Sequence, residues 1–320
     1  MLSYILIVAG FLLLIKGAGY FVDGASNIAV LLKVSPLVIG LTIMAFGTGA
    51  PEATVSIVAA LKGSADVAVG NVVGSNLINV TMVVGLTAVI APITVKNDTI
   101  RKEIPFALLA SVALLIFISD PYLEGAVETF ISRGEGITLL LFFVVFMYYI
   151  LEAARHNRDQ SYGPPPNDTS ASGWTKQILL TAGGLAAIIF GGELVVRNAL
   201  EIAYRFGISE TLAGLTIVAI GTALPEFATC IAAALKGKSE IAIGNIIGSN
   251  IFNTFFVIGL SALILPLQVD PRLIFDVIVM TVMTVVLLIF SRTNYAVGKY
   301  EGSILSVIYL AYLIFIIFRN

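Results

Sequence analysis

The chain has 320 residues, of which 58% are hydrophobic and only 12% charged, with a formal net charge of −2. Soluble domains carry about 25% charged residues, so the composition excludes an ordinary soluble domain and describes an all-α polytopic membrane protein in contact with lipid. The near-neutral balance excludes nucleic acid as a partner. The lone Cys230 and the lone His156 exclude a disulfide, a thiolate cluster and histidine-based chemistry.

A helix needs about 20 apolar residues to cross a bilayer. Ten such spans are expected, at about 2–22, 37–60, 68–92, 104–119, 137–154, 176–196, 211–234, 242–266, 273–291 and 301–318. The first has no basic segment before it and reads as a retained span, not a cleaved signal peptide. The first and sixth are expected to continue as long helices towards residues 32 and 206. The second span carries GLTIMAFGTGAPE at 40–52, and the third carries GNVVGSNLIN at 70–79. After the fifth comes a polar segment, 156–174, beginning HNRDQSYGPPPNDTSASG. Its Pro, Ser, Asp and Asn content predicts a flexible linker. The seventh and eighth spans then repeat the earlier motifs as GLTIVAIGTALPE at 214–226 and GNIIGSNIFN at 244–253.

Both motif pairs are offset by 174 residues, and from 35 to 79 a total of 23 of 45 positions match their partners at that offset. The chain therefore divides into a first five-helix repeat at 1–155, the linker at 156–174 and a second repeat at 175–320. The repeated cores lie at about 37–92 and 211–266. Five spans per half make the two repeats inverted. With the N-terminus outside, the inward loops hold eleven Lys and Arg and the outward loops five. This places both termini outside and the linker in the cytoplasm.

Each copy plants one glutamate, Glu52 or Glu226, directly after a proline in an apolar run. Proline removes a helical hydrogen bond, and the carbonyls of Ala45, Phe46, Gly47 and Thr48 are expected to lose helical partners. In a bilayer such carbonyls need protein, water or an ion. Thr48 shares a helix face with Glu52, and Thr222 repeats the arrangement with Glu226. The partner helices add Ser75 with Asn79, and Ser249 with Asn253, again four residues apart. All offer oxygen, which suits a hard cation such as Ca²⁺ and disfavours Zn²⁺ or Cu⁺. The two carboxylates balance one divalent ion.

Other polar and small residues have plainer readings. Gly70, Gly74, Gly244 and Gly248 are expected to let helices pack closely. Asn71, Asn76, Asn245 and Asn250 are expected to bond between helices. Glu193 and Arg197 read as a boundary pair, Asp23 as interfacial, and Lys16 as snorkelling or lining a passage.

At GTGAPE, GTALPE, GSNLIN and GSNIFN the sequence resembles the cation/calcium exchanger superfamily, specifically its prokaryotic sodium/calcium exchanger branch. The resemblance covers essentially the whole chain. It implies that Glu52 and Glu226 bind Ca²⁺ with the backbone carbonyls of Thr48 and Thr222. It implies sodium sites drawn from Ala45, Thr48, Glu52, Ser75, Asn79, Ala219, Thr222, Glu226, Ser249 and Asn253. The first and sixth helices would slide across the central bundle. The family's serine after each signature threonine is replaced here by Gly49 and Ala223, and both Asn79 and Asn253 are amides.

The sequence thus predicts a secondary-active Ca²⁺ antiporter of the cell membrane, monomeric as a transport unit. Its only ligands would be the transported ions, Ca²⁺ and a monovalent counter-ion. That counter-ion is Na⁺ or, as the alternative, H⁺ exchanged on the same carboxylates. No cofactor and no enzymatic activity are expected, and a passive channel suits this ligand-rich site poorly.

Overall fold

Within lipid every backbone N–H and C=O must pair inside the chain, so long apolar segments fold as helices. The computed structural model describes residues 2–120, 125, 129–156, 171–206 and 219–319. Its helices are α1 (Leu2–Leu32), α2 (Pro36–Thr48), α3 (Ala50–Leu61), α4 (Ala65–Ile90), α5 (Ile104–Phe117), α6 (Arg133–His156), α7 (Ala171–Arg205), α8 (Ala219–Thr222), α9 (Leu224–Leu235), α10 (Ser239–Ile264), α11 (Leu273–Arg292) and α12 (Lys299–Arg319). Among the described residues, seven are long and apolar enough to cross a membrane, or eight if α2 and α3 form one span bent by 50°.

The long first and sixth helices appear as expected, at 31 and 35 residues. The fourth expected span is α5, preceded by a π turn at Thr99–Glu103. Most of the linker and residues 207–218, where the seventh span begins, lie outside the described residues. One boundary moves: α7 starts at Ala171, inside the expected linker, because an established helix extends outward at little cost per residue.

Contacts between the halves are reciprocal at the 174-residue offset. Where α1 crosses α7, a carbon added to Gly10 would lie 2.8 Å from Gly191 O, and one added to Gly191 would lie 2.8 Å from Gly10 O. Gly17 and Gly184 form the same pair, at 2.9 and 2.8 Å. Only glycine admits backbones at this separation. At the centre, Asn76 Nδ2 donates to Asn250 O at 3.4 Å and Asn250 Nδ2 to Asn76 O at 3.1 Å. The two copies thus meet through the same positions in both directions.

Two short antiparallel ribbons, absent from the sequence reading, join helix ends: β1 (Ile93–Thr94) with β4 (Ala296–Val297), and β2 (Phe130–Ile131) with β3 (Leu267–Gln268). The core is an apolar cluster through α1, α2, α4, α5, α10 and α11. Buried within it lies a band of Thr, Ser, Asn and Glu.

Candidate cation-binding site

Pro51 and Pro225 begin α3 and α9. A proline is tolerated in a first helical turn because no helical partner is lost there. The break falls two residues before each proline, at Gly49 (φ −79°, ψ 0°) and Ala223 (φ −82°, ψ −3°). Glu52 and Glu226 therefore sit in the first turns of α3 and α9, where the positive helix end favours a carboxylate. Both are 1% exposed.

One expectation needs correcting. The Ala45 carbonyl is not orphaned by the break, since it accepts from Gly49 N at 3.0 Å and from Ser249 Oγ at 3.4 Å. Proline at position 51 lacks the N–H that would pair with Gly47 O, not with Ala45 O.

The amides of α4 and α10 interlock. Asn79 Nδ2 donates to Asn250 Oδ1 at 3.0 Å, and Asn253 Nδ2 donates to Asn76 Oδ1 at 3.2 Å. Asn76 Nδ2 also donates to Thr254 Oγ1 at 2.8 Å. With its N–H group held, each of Asn79 and Asn253 keeps a free carbonyl oxygen. The buried oxygens without a hydrogen-bond partner include Glu52 Oε2, Glu226 Oε2, Asn79 Oδ1 and Asn253 Oδ1. These four form two pairs related by the 174-residue offset.

Around them stand the remaining candidates. Thr48 is fully buried, with Oγ1 3.0 Å from Met44 O and 3.1 Å from Asn245 Oδ1. Ser75 and Ser249 are buried one turn before Asn79 and Asn253. Thr222 ends α8 at the second break and Ala219 begins that helix. Asn71 donates to Ser56 Oγ at 2.9 Å and to Glu52 O at 3.3 Å, and Asn245 donates to Thr229 Oγ1 at 3.0 Å. The bonding role expected of Asn71, Asn76, Asn245 and Asn250 is thus observed. Thr254, Ser56 and Thr229 were missed, although the repeat register marks the neighbours of each.

Glycine packing is seen in the second copy. A carbon added at Gly248 would lie 2.7 Å from Ala45 Cβ, and one at Gly244 would lie 3.0 Å from Leu37 O. For Gly70 and Gly74 the equivalent partners, Thr211, Leu215 and Ala219, lie in or beside the stretch outside the described residues.

A cleft of about 1000 Å³ opens between α3 and α7 and reaches the breaks at Pro51, Thr222 and Pro225. Glu193 and Arg197 line it, and among the described residues they do not form the expected boundary pair. Two exposed charges one turn apart gain little by pairing. Asp23 instead bridges α1 to the end of α9, 2.8 Å from Lys236 Nζ and 3.4 Å from Lys238 Nζ. Lys16 is exposed on α1. No group of three or more His, Cys, Asp or Glu occurs among the described residues; amides and hydroxyls supply the other oxygens.

The model of the sodium/calcium exchanger protein family matches residues 2–152 and 176–318, both halves of the chain. The chain belongs to that family. Among relatives of this exchanger chain, the putative antiporter CaxA of Alkalimonas amylolytica is 39% identical over 98% of both chains. The sodium/calcium exchanger MaX1 of Methanosarcina acetivorans is 32% identical over 98% of this chain and 97% of its own. A solved structure of the sodium-calcium exchanger NCX_Mj, soaked with Na⁺ and Sr²⁺, superimposes with a TM-score of 0.83 at 29% identity, covering 98% of each chain. The exchanger family and its membrane-spanning fold are thus shared along the full length.

Proposed function

We propose that this protein exchanges Ca²⁺ for Na⁺ by alternating access, at a midplane site in which Glu52 and Glu226 neutralise the divalent ion. The observation that carries the reading is a set of four unpartnered buried oxygens, two carboxylate and two amide, at positions repeated in the two copies. An unpaired charge at mid-bilayer costs roughly 2.5–3.5 kcal/mol on insertion scales, and a bound cation removes that cost. Oxygens of Thr48, Thr222, Ser75 and Ser249, with main-chain oxygens near Ala45 and Ala219, complete the Ca²⁺ and Na⁺ positions. Because Na⁺ and Ca²⁺ compete for the same carboxylates, each leaves only when the other replaces it.

In this reading ten spans form two inverted five-helix halves, a monomer transports, and the protein lies in the cell membrane. Both termini are outside and the 156–174 linker is cytoplasmic, so the cleft between α3 and α7 opens outward. MaX1 and NCX_Mj carry the sodium/calcium exchanger name, which supports the choice of ions.

A second reading keeps the site and changes the counter-ion. Two carboxylates serving one ion site can also exchange protons, and Gly49 and Ala223 lack hydroxyls for sodium. Proteoliposomes loaded with Na⁺ and diluted into Na⁺-free medium containing radioactive Ca²⁺ should take up Ca²⁺ without a pH gradient. Uptake driven only by a pH gradient selects the proton reading. Glu52→Gln or Glu226→Gln should each reduce exchange to background, and transport that survives both changes sinks the site assignment.

A further inference from the structure

The two ends of the helix pair α1 and α7 are held differently, and the repeat makes the difference readable. At the closed end α1 lies against α9, with Asp23 between Lys236 at 2.8 Å and Lys238 at 3.4 Å. Lys236 Nζ also donates to Gly19 O at 2.7 Å. At the opposite end the corresponding helices, α7 and α3, stand apart around the 1000 Å³ cleft. Lys62, Glu193 and Arg197 are exposed there, and none of them forms an ion pair among the described residues.

The 174-residue offset maps Lys236 onto Lys62, Asp23 onto Arg197 and Gly19 onto Glu193. A transporter built from two such repeats opens alternately by exchanging the arrangements of its halves. When α7 closes on α3 as α1 now closes on α9, Lys62 meets positions 193 and 197. Copied without change, the latch would bring Arg197 against Lys62, and like charges would hold the cleft open. The substitution at the glycine corrects this. A carbon added at Gly19 would lie 3.7 Å from Lys236 Nζ, with no other atom outside its own helix within 4 Å. The side-chain direction at that position therefore runs to the lysine, and in the second copy the side chain is a carboxylate. Each set contains one acid and two cations: Asp23 with Lys236 and Lys238, and Glu193 with Lys62 and Arg197.

We propose that Glu193 is a positioning residue that pairs with Lys62 when the cleft closes, as the counterpart of the Asp23–Lys236 latch with its acid moved by one helical turn. The proposal rests on the alternating-access reading. It concerns no ion ligand, so conformation can be tested apart from transport.

In the purified full chain, Lys62→Cys with Glu193→Cys, and separately Asp23→Cys with Lys236→Cys, are treated with a short bifunctional methanethiosulfonate. Cys230 is buried, and single-cysteine variants control for it. Both pairs should cross-link, and the four-cysteine protein should be bridged at one end or the other but never at both. A Lys62–Glu193 pair that stays unlinked while Asp23–Lys236 links overturns the proposal. So does double bridging of one molecule. In proteoliposomes, Glu193→Gln and Lys62→Gln should each slow exchange by about twofold to fivefold, the range of an exposed ion pair. The swap of Lys62→Glu with Glu193→Lys should recover the rate to within about twofold. A swap slower than either single change counts against the pair, because misfolding alone cannot produce recovery. Cross-links that alternate as stated in a protein that moves no Ca²⁺ would retain the latch and reject the ion reading.

Discussion

Gly49 and Ala223 differ from the family pattern and bear most directly on the counter-ion. Their backbones agree within 3° in both angles (φ −79° and −82°, ψ 0° and −3°), and neither conformation requires glycine. A carbon at position 49 would lie 3.6 Å from Asn253 Oδ1 and 3.4 Å from Phe252 Cδ1, with Ala45 O of the preceding turn at 2.9 Å. The backbone must ease away from Ala45 O to admit that carbon, and the hydroxyl of Gly49→Ser would then stand beside a candidate ligand. If Na⁺ is the counter-ion, this change should lower the Na⁺ concentration giving half-maximal Ca²⁺ exchange by about twofold to tenfold, the worth of one added polar contact. An unchanged Na⁺ dependence in a variant that still binds Ca²⁺ would count against a sodium position there. The residue types at the site were legible because Thr, Glu, Ser and Asn recur at one offset in an apolar chain. Their orientation was not. Asn76 and Asn250, read only as bonds between helices, hold the amino groups of Asn253 and Asn79 and so free the carbonyl oxygens. That choice depends on which helix faces which, information that periodicity does not carry.

Between elements, small residues set the spacing and a few polar ties lock it. The α1–α7 crossing depends on Gly10, Gly17, Gly184 and Gly191, and a carbon at Gly184 would lie 2.5 Å from Phe21 N. Overpacking of this kind costs about 1–3 kcal/mol. Gly184→Val should accordingly lower the melting temperature of the detergent-solubilised protein, whereas Gly183→Val should not, since a carbon at Gly183 meets nothing within 4 Å. Equal shifts in the two variants would mean that the crossing tolerates separation. The repeat register announced these glycines. It did not announce the ties of the π turn before α5 to α6 and of α11 to α12, because they break the register. Tyr149 donates to Glu103 in the first half, while Arg319 grips Asp276 with two bonds of 2.9 and 2.8 Å in the second. The charge count treats Arg319 as a free loop charge, whereas its partner is a buried acid on α11. Counting residues by loop cannot detect such neutralisation.

At the scale of the whole molecule, the halves share a register yet occupy different arrangements, with α1 tied to the end of α9 by Asp23 and α7 apart from α3 around the cleft. Sequence identity between the copies revealed the duplication but could not say which end is shut. Only the positions where the copies differ, such as Gly19 against Glu193 and Asp23 against Arg197, can bias that choice. Asp23 is the acid between two lysines at the sealed end, where the side chains are 31–47% exposed. Each of its pairs is therefore worth about 0.2–1 kcal/mol. Removing it with Asp23→Asn loses both attractions and leaves Lys236 and Lys238 facing each other, so the sealed end should open more often. A cysteine placed in the cleft by Thr54→Cys reports the balance, because Thr54 lines that cleft and is covered when α7 closes on α3. Asp23→Asn should slow its labelling by a water-soluble maleimide by about twofold to fivefold, and adding Glu193→Gln should restore much of the rate by weakening the opposite latch. Labelling that ignores Asp23 would mean that packing alone holds α1 against α9. The charges would then be free to vary, and the asymmetry between the copies would have to arise from the glycine and aromatic contacts along the helix faces.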